Sequence, residues 1–160
     1  MSNVTPTEPA ARRPIRYNGK AEHSLDDKRR LQIPSKWRPD GEMTWIGVIW
    51  PKSGCLIVMT ADSYFAMIES LENRGRGDRE ARELIRFLSE HSGDLQMDKA
   101  GRVMLPENLT TAVGIVKDVT LLGVGTEFEI WPREKYGTAV PSEDVAELSI
   151  GKLLTNKEKS

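Results

Sequence analysis

The sequence predicts a mainly β protein with a few helices, an α+β body made of two copies of one unit paired about a pseudo-twofold axis. Three observations carry this. Shifted by 72 positions, the chain matches itself without a gap: Asp26 falls on Asp98, Arg30 on Arg102, Pro34 on Pro106 and Tyr64 on Tyr136. Apolar positions repeat at the same offset, with Leu25 on Met97, Leu31 on Val103, Ile33 on Leu105, Trp37 on Leu109, Ile49 on Leu121, Leu56 on Phe128 and Val58 on Ile130. The apolar runs are short and closed by proline and glycine, the punctuation of strands and hairpins. Either unit alone would leave strand edges unpaired and little surface buried, so the two should pair with each other.

Residues 1–16 mix Pro, Thr, Ala and Glu without periodicity and read as a flexible basic extension. The first unit spans 17–74. Leu31-Gln32-Ile33 is a short strand ended by Pro34, which cannot donate to a central ladder and suits a helix start, so a helical turn over Ser35-Lys36-Trp37 should follow. Trp45 to Trp50 reads as a buried strand, Pro51-Lys52-Ser53-Gly54 as a turn and Leu56 to Met59 as its hairpin partner. A helix then begins near Thr60 or Asp62 with Tyr64, Ile68 and Leu71 on one face, and Gly75-Arg76-Gly77 breaks it. Ala81, Leu84, Ile85 and Leu88 stand at i, i+3, i+4 and i+7, which makes 75–90 a linker helix. The second unit, 91–139, repeats the strands at Val103-Met104-Leu105, Val119 to Leu122 and Phe128 to Trp131, with a helix from Pro132 carrying Tyr136. Residues 140–160 read as a C-terminal tail whose polar end, Thr155 to Ser160, is flexible.

Composition removes several function classes. Among 160 residues, Lys+Arg 23 against Asp+Glu 24 gives a net charge of −1, and no apolar run approaches the roughly 20 residues of a membrane helix. The N-terminus lacks the basic start and apolar stretch of a secretory signal, so the expected location is the cytoplasm. With one cysteine, Cys55, and two histidines, no Cys/His metal site and no intrachain disulfide can form within one chain. No cofactor, small-molecule substrate or catalytic set is expected either: there is no Ser/His/Asp constellation and no glycine-rich phosphate loop before a helix. The charge is unevenly spread. Met1 to Arg38 holds nine basic and four acidic residues, so one end of the chain is a candidate anion-binding face.

The strongest constellation is Ser24-Leu25-Asp26-Asp27-Lys28-Arg29-Arg30-Leu31-Gln32-Ile33-Pro34, echoed by Gln96-Met97-Asp98-Lys99-Ala100-Gly101-Arg102-Val103-Met104-Leu105-Pro106. These stretches resemble the paired D-x-x-G-R loops of MraZ proteins, bacterial transcriptional regulators with two AbrB/SpoVT-type repeats. Tyr17 to Ser24, Gly54-Cys55-Leu56 and Val124 to Trp131 extend the resemblance, which runs from about Tyr17 to Tyr136. It implies two tandem AbrB/SpoVT-like repeats joined in a swapped-hairpin-type β-barrel. It also implies a nucleoid-associated repressor that binds double-stranded DNA as a ring-like homo-oligomer, at short repeated sites upstream of the division and cell-wall gene cluster. The family's loop residues fall on Lys28, Arg30, Lys99 and Arg102. Arg29 stands where the family has glycine, whereas Gly101 keeps it; Arg29 must accept a left-handed backbone or adopt another turn, and it adds positive charge.

Arginine offers a fork of donors for guanine edges or phosphates and lysine a mobile charge for phosphates. Lys28, Arg29, Arg30, Lys99 and Arg102 are therefore the expected DNA-binding residues, with Arg30→Ala expected to be more harmful than Arg102→Ala. Arg12, Arg13 and Arg16 form a candidate arm for the DNA backbone. Asp26 and Asp98 are expected to fix the turns by accepting backbone N–H bonds. His23 reads as a packed or hydrogen-bonded residue, Cys55 as a small core residue and the four tryptophans as core or subunit interface. Two other functions remain alternatives: an AbrB-like antitoxin that binds DNA and a toxin, and an enzyme on a β-barrel fold.

Overall fold

The computed structural model describes residues 15–40, 43–50, 52–138 and 143–158. In chain order the elements are β1 (Lys20–Ser24), β2 (Arg30–Gln32), a 3-10 turn (Ser35–Trp37), β3 (Thr44–Ile49), β4 (Leu56–Thr60), α1 (Ala61–Glu72) and α2 (Arg79–Glu90), followed by β5 (Ser92–Gln96), β6 (Arg102–Met104), α3 (Glu107–Val113), β7 (Asp118–Gly123), β8 (Glu127–Pro132), α4 (Arg133–Tyr136) and α5 (Glu143–Glu158). The fold is mainly β with a few helices. The six strands expected from apolar runs lie within one residue of their expected ends. Strands β1 and β5 were not expected, because neither carries an apolar run; in β5 only Leu95 is buried. The C-terminal tail holds α5, which runs through Thr155 to Glu158, so the polar end expected to be flexible is helical that far; Glu, Leu and Lys, all strong helix formers, make up half of it.

The strands interleave the two units. A six-stranded antiparallel sheet runs β1-β7-β8-β4-β3-β5, and β2 pairs with β6 in a separate two-stranded ribbon. The order reads the same from either end once each strand is exchanged for its repeat partner. The first strand of each unit pairs with the other unit, β1 on β7 and β5 on β3. The pseudo-twofold axis passes between Leu31 and Val103, which face each other, and between Ile57 and Glu129, which also do.

Register corrects the gapless match. Trp45 pairs with Leu95 while Val119 pairs with His23, so β3 maps onto β7 at an offset of 74, and Ile49 corresponds to Gly123 rather than to Leu121. The second unit adds two residues where α3 outruns the 3-10 turn. It returns them at the hairpin: the pair Ile49 and Leu56 encloses six residues, the pair Gly123 and Phe128 four.

Helix starts follow their side chains. Thr60 caps α1 by accepting from Ser63 N–H at 3.1 Å, and Asp78 caps α2 by accepting from Ala81 N–H at 2.9 Å. Pro34 and Pro106 stand one residue before their helical turns with φ of −52° and −58°, within the range the ring allows.

The core lies between the units and centres on aromatics. Phe128 meets Trp37, Tyr17 and Trp45 at centroid distances of 5.1, 5.2 and 5.9 Å. The buried polar tips are paired, Trp45 Nε1 donating to the Tyr17 hydroxyl at 3.0 Å and Trp37 Nε1 to the Asn18 carbonyl at 3.1 Å. Trp50 departs from a core role, being 38% exposed. A second cluster seats α1 and α2 on the sheet through Ile46, Val48, Met59, Tyr64 and Leu88. The second unit has only the four-residue α4 at the place of α1, so this helical layer covers one half of the molecule.

Candidate nucleic-acid interface

The two singled-out loops come together because β2 and β6, which leave them, pair antiparallel. Each loop is closed by one aspartate. Asp26 Oδ1 accepts from the N–H of Lys28 and of Arg30, both at 2.9 Å, and Asp98 Oδ1 accepts from Ala100 and Arg102, also both at 2.9 Å. The other carboxylate oxygen holds the arginine side chain: Arg30 Nε donates to Asp26 Oδ2 at 2.7 Å, Arg102 Nε to Asp98 Oδ2 at 3.0 Å. The expectation that both aspartates fix their turns is met.

The backbone bonds are equally matched. Arg29 N–H donates to Asp26 O at 2.9 Å and Gly101 N–H to Asp98 O at 3.0 Å. Across the axis, Leu105 N–H donates to Arg29 O and Ile33 N–H to Gly101 O, both at 3.0 Å. Each loop is thus clamped by the strand of the other unit.

This clamp settles the backbone of Arg29. Its φ is +58°, beside +80° at Gly101, so Arg29 keeps the left-handed turn and bears its strain. Its side chain is exposed and pairs weakly with Glu107 at 3.7 Å. Two substitutions should therefore move stability in opposite directions. Gly101→Ala places a Cβ at left-handed φ and against the Arg38 side chain, so it costs at least about 1–2 kcal/mol, whereas Arg29→Gly relieves the left-handed strain and gains about 0.5 kcal/mol, part of the gain being returned as backbone entropy. Thermal unfolding of the two variants, with a rise for Arg29→Gly and a fall for Gly101→Ala, checks the assignment.

Side chains alternate along the ribbon. Leu31 and Val103 point into the core, while Arg30, Gln32, Arg102 and Met104 lie on the outer face. Arg30 stands opposite Met104 and Gln32 opposite Arg102, so the two arginines are diagonal neighbours, about 7–8 Å apart at the backbone. Their ion pairs engage Nε, and among the described residues the Nη groups of both forks have no partner. Lys28 and Lys99 are exposed at the loop tips. Gln32 Nε2 donates to the carbonyls of Ala100 at 3.0 Å and Gly101 at 3.3 Å, bracing the second loop.

Gln32 and Met104 escaped the sequence reading. The signal that finds them is the period of two from each arginine, combined with the 72-residue repeat that makes them equivalents. Arg16 is exposed between partly buried Ile15 and fully buried Tyr17, so the start of the candidate arm is anchored; Arg12 and Arg13 lie outside the described residues.

The electrostatics agree with the hydrogen bonds. The Arg30 backbone N–H, with further help from the Arg30 side chain and the Lys28 N–H, holds the Asp26 carboxyl below its usual range; for Asp98 the Arg102 and Ala100 N–H groups and the Arg102 side chain do the same. A carboxyl depressed in the fold adds stability above its unfolded value, near 3.9, and loses it as pH falls through the folded value. The loops should therefore stay closed from pH 5 to 8 and loosen only below about pH 4. Amide hydrogen exchange at Lys28, Arg30, Ala100 and Arg102 reads this directly. Burial, with Glu129 next, pushes the Cys55 thiol up to about 12, so it remains an inert core thiol. His23 is half-buried, and its carbonyl accepts from Arg133 Nη2 at 2.8 Å.

Among the described residues no group of three or more His, Cys, Asp and Glu is placed to hold a metal ion, and no helix is long and apolar enough to cross a membrane.

Residues 89–149 match the family model described as "MraZ protein, putative antitoxin-like". The chain is similar to proteins named Transcriptional regulator MraZ. That of Lachnoclostridium phytofermentans is 34% identical over 123 residues, covering 75% of this chain and 84% of that protein. That of Clostridium acetobutylicum is 34% identical over 120 residues with the same shares. That of Acetivibrio thermocellus is 29% identical over 134 residues, covering 84% of this chain and 93% of that protein.

Proposed function

The chain belongs to the MraZ family, and on that premise we propose that it is a DNA-binding transcriptional regulator, not an enzyme, whose reading head is the outer face of the β2-β6 ribbon with its two loops. The observation that carries this reading is the pair of matched arginine forks, Arg30 and Arg102, each held by its own aspartate with the Nη donors unspent. A held fork suits bidentate contact with guanine O6 and N7, because little side-chain freedom is lost on binding. A two-stranded ribbon fits the major groove, and Lys28, Arg29 and Lys99 at its ends can reach phosphates.

One ribbon of this size offers few contacts, so affinity must come from repetition. We take the assembly to be a ring-like homo-oligomer acting as a repressor at short repeated sites upstream of the division and cell-wall gene cluster, in the cytoplasm and on the nucleoid. Several ribbons on matching DNA repeats raise avidity without any new contact. Arg16 leads from the core toward the basic extension, which would add backbone contacts.

Fluorescence-anisotropy titration against DNA from upstream of the chain's own gene, beside a scrambled duplex and at two salt concentrations, tests the reading. Tighter binding to the upstream DNA with a steep salt dependence is expected. Equal binding to both duplexes removes sequence specificity; binding to neither removes the DNA-binding role.

The antitoxin reading retains one supporting observation. Helix α5 exposes Ile150, Leu153 and Leu154 on one side and Leu148 on the other, between 58 and 69% accessible, apolar side chains that a protein partner could cover. A stoichiometric complex with the product of an adjacent gene, seen by light scattering of the co-expressed pair, would favour it.

A further inference from the structure

The two loops differ at three equivalent positions, Asp27 against Lys99, Lys28 against Ala100 and Arg29 against Gly101, and at the last of these a third side chain evens the difference. Arg38, just after the 3-10 turn, lies over Gly101. A Cβ built on Gly101 would stand 2.7 Å from Arg38 Cδ and 2.9 Å from Cζ, with Nη1 also in contact. The Arg38 guanidinium therefore occupies the space in which an arginine at 101 would leave the backbone, as Arg29 does in the first loop. The first loop has no such neighbour. The repeat partner of Arg38 is Thr110, which is buried and donates its hydroxyl to the Glu107 carbonyl at 3.0 Å.

We propose that Arg38 is a phosphate-binding residue of the second loop, the counterpart of Arg29 in the first. Each loop then presents one lysine and two arginines to DNA: Lys28, Arg29 and Arg30 on one side, Lys99, Arg38 and Arg102 on the other. This rests on the DNA-binding reading given above.

The pairing of charges on this face supports the assignment. Arg29, Arg30 and Arg102 each have a carboxylate partner. Arg38 has none among the described residues, and its buried Nε has no hydrogen-bond acceptor. The charge of this half-buried guanidinium is uncompensated, and an anion at its Nη end would pair it while Nε stays buried. Access exists: Arg38, Lys99 and Gly101 line an open groove of about 500 Å³ together with Asp40 and Asp98. Asp98 is committed to Arg102 and to two backbone N–H groups, which leaves Asp40, exposed on the rim, as the carboxylate that opposes an incoming phosphate.

The test uses the full chain, the upstream and scrambled duplexes and a salt series. Arg38→Gln and Arg38→Met are compared with wild type, the second keeping the packed stem over Gly101. Removing one phosphate-binding arginine lowers the slope of log K against log salt by about 0.9 for every subunit engaged. Both variants should show that reduction on both duplexes, with affinity about three- to tenfold weaker and the same preference for upstream DNA. Arg29→Gly should give an equal reduction. An unchanged slope in variants that melt like wild type overturns the assignment while leaving the DNA-binding reading intact. Failure of both variants to fold makes Arg38 a packing residue and overturns it as well. Failure of wild type to bind either duplex overturns the underlying reading instead.

Discussion

Arg30→Ala is expected to reduce binding to the upstream DNA by about 10- to 100-fold while leaving the oligomer and its melting temperature nearly unchanged. The size follows from the contact type, since a bidentate arginine at a base edge is worth about 1–3 kcal/mol of discrimination. Repetition around an oligomer would multiply that loss. The assembly should survive because Arg30 Nε bonds within its own loop, to Asp26. The sequence alone ranks Arg102 as the less harmful position. Geometry gives no such ranking: the two side chains are 31 and 34% exposed and make the same bonds, so Arg102→Ala should cost a comparable factor. Asp26→Asn is more discriminating, because it keeps the Oδ1 acceptor for two N–H groups and weakens only the hold on Nε. Its binding loss should fall between wild type and Arg30→Ala. Anisotropy, with light scattering for assembly, measures all of these; unfolding of Arg30→Ala would make Arg30 structural and remove it from the reading head.

How far this face can be read from the chain depends on which interactions are local. Asp26 and Arg30 are four residues apart and recur 72 residues later, so the loop, its carboxylate and its arginine are all visible in the sequence. The turn at Arg29 is not. A positive φ at arginine is unfavourable locally, and the bonds that hold it include one from Leu105 N–H of the other unit, across the axis, beside the local bonds to Asp26. Arg38 is hidden for the same reason, since its meaning depends on lying over Gly101, a residue 63 positions away. The offset of 74 between β3 and β7 is hidden because similar apolar residues fill both strands, so a shift of two keeps every side chain on its face. Helix α5 has the opposite character. Its residues favour a helix locally, but its apolar positions fall on no single face, so periodicity gives no warning of it.

The largest stability effect should come from the glycine that ends β7. Gly123→Ala is expected to cost about 2–3 kcal/mol and to lower the melting temperature by roughly 5–10 °C. Gly123 ends β7 beneath the incoming N-terminal segment. A Cβ there would stand 2.6 Å from both Asn18 Cα and Tyr17 C and closer still to Asn18 N, all backbone atoms that no rotamer change can move aside. That segment is fixed from both sides of the clash. Gly123 N–H donates to Gly19 O at 2.9 Å, and Tyr17 exchanges two bonds with Gly125, at 2.6 and 3.0 Å. Relief of the overlap must therefore lift Tyr17, whose ring packs on Phe128 and Trp37 and whose hydroxyl accepts from Trp45. The cost thus spreads into the core between the units and into the pairing of β1 with β7 that interleaves them. Gly137→Ala is the control, because its φ is −66° and nothing lies within 4 Å of the added Cβ; it should melt within about 2 °C of wild type. Similar melting of the two variants would show that the N-terminal segment does not bear on Gly123 as closely as its backbone bonds require.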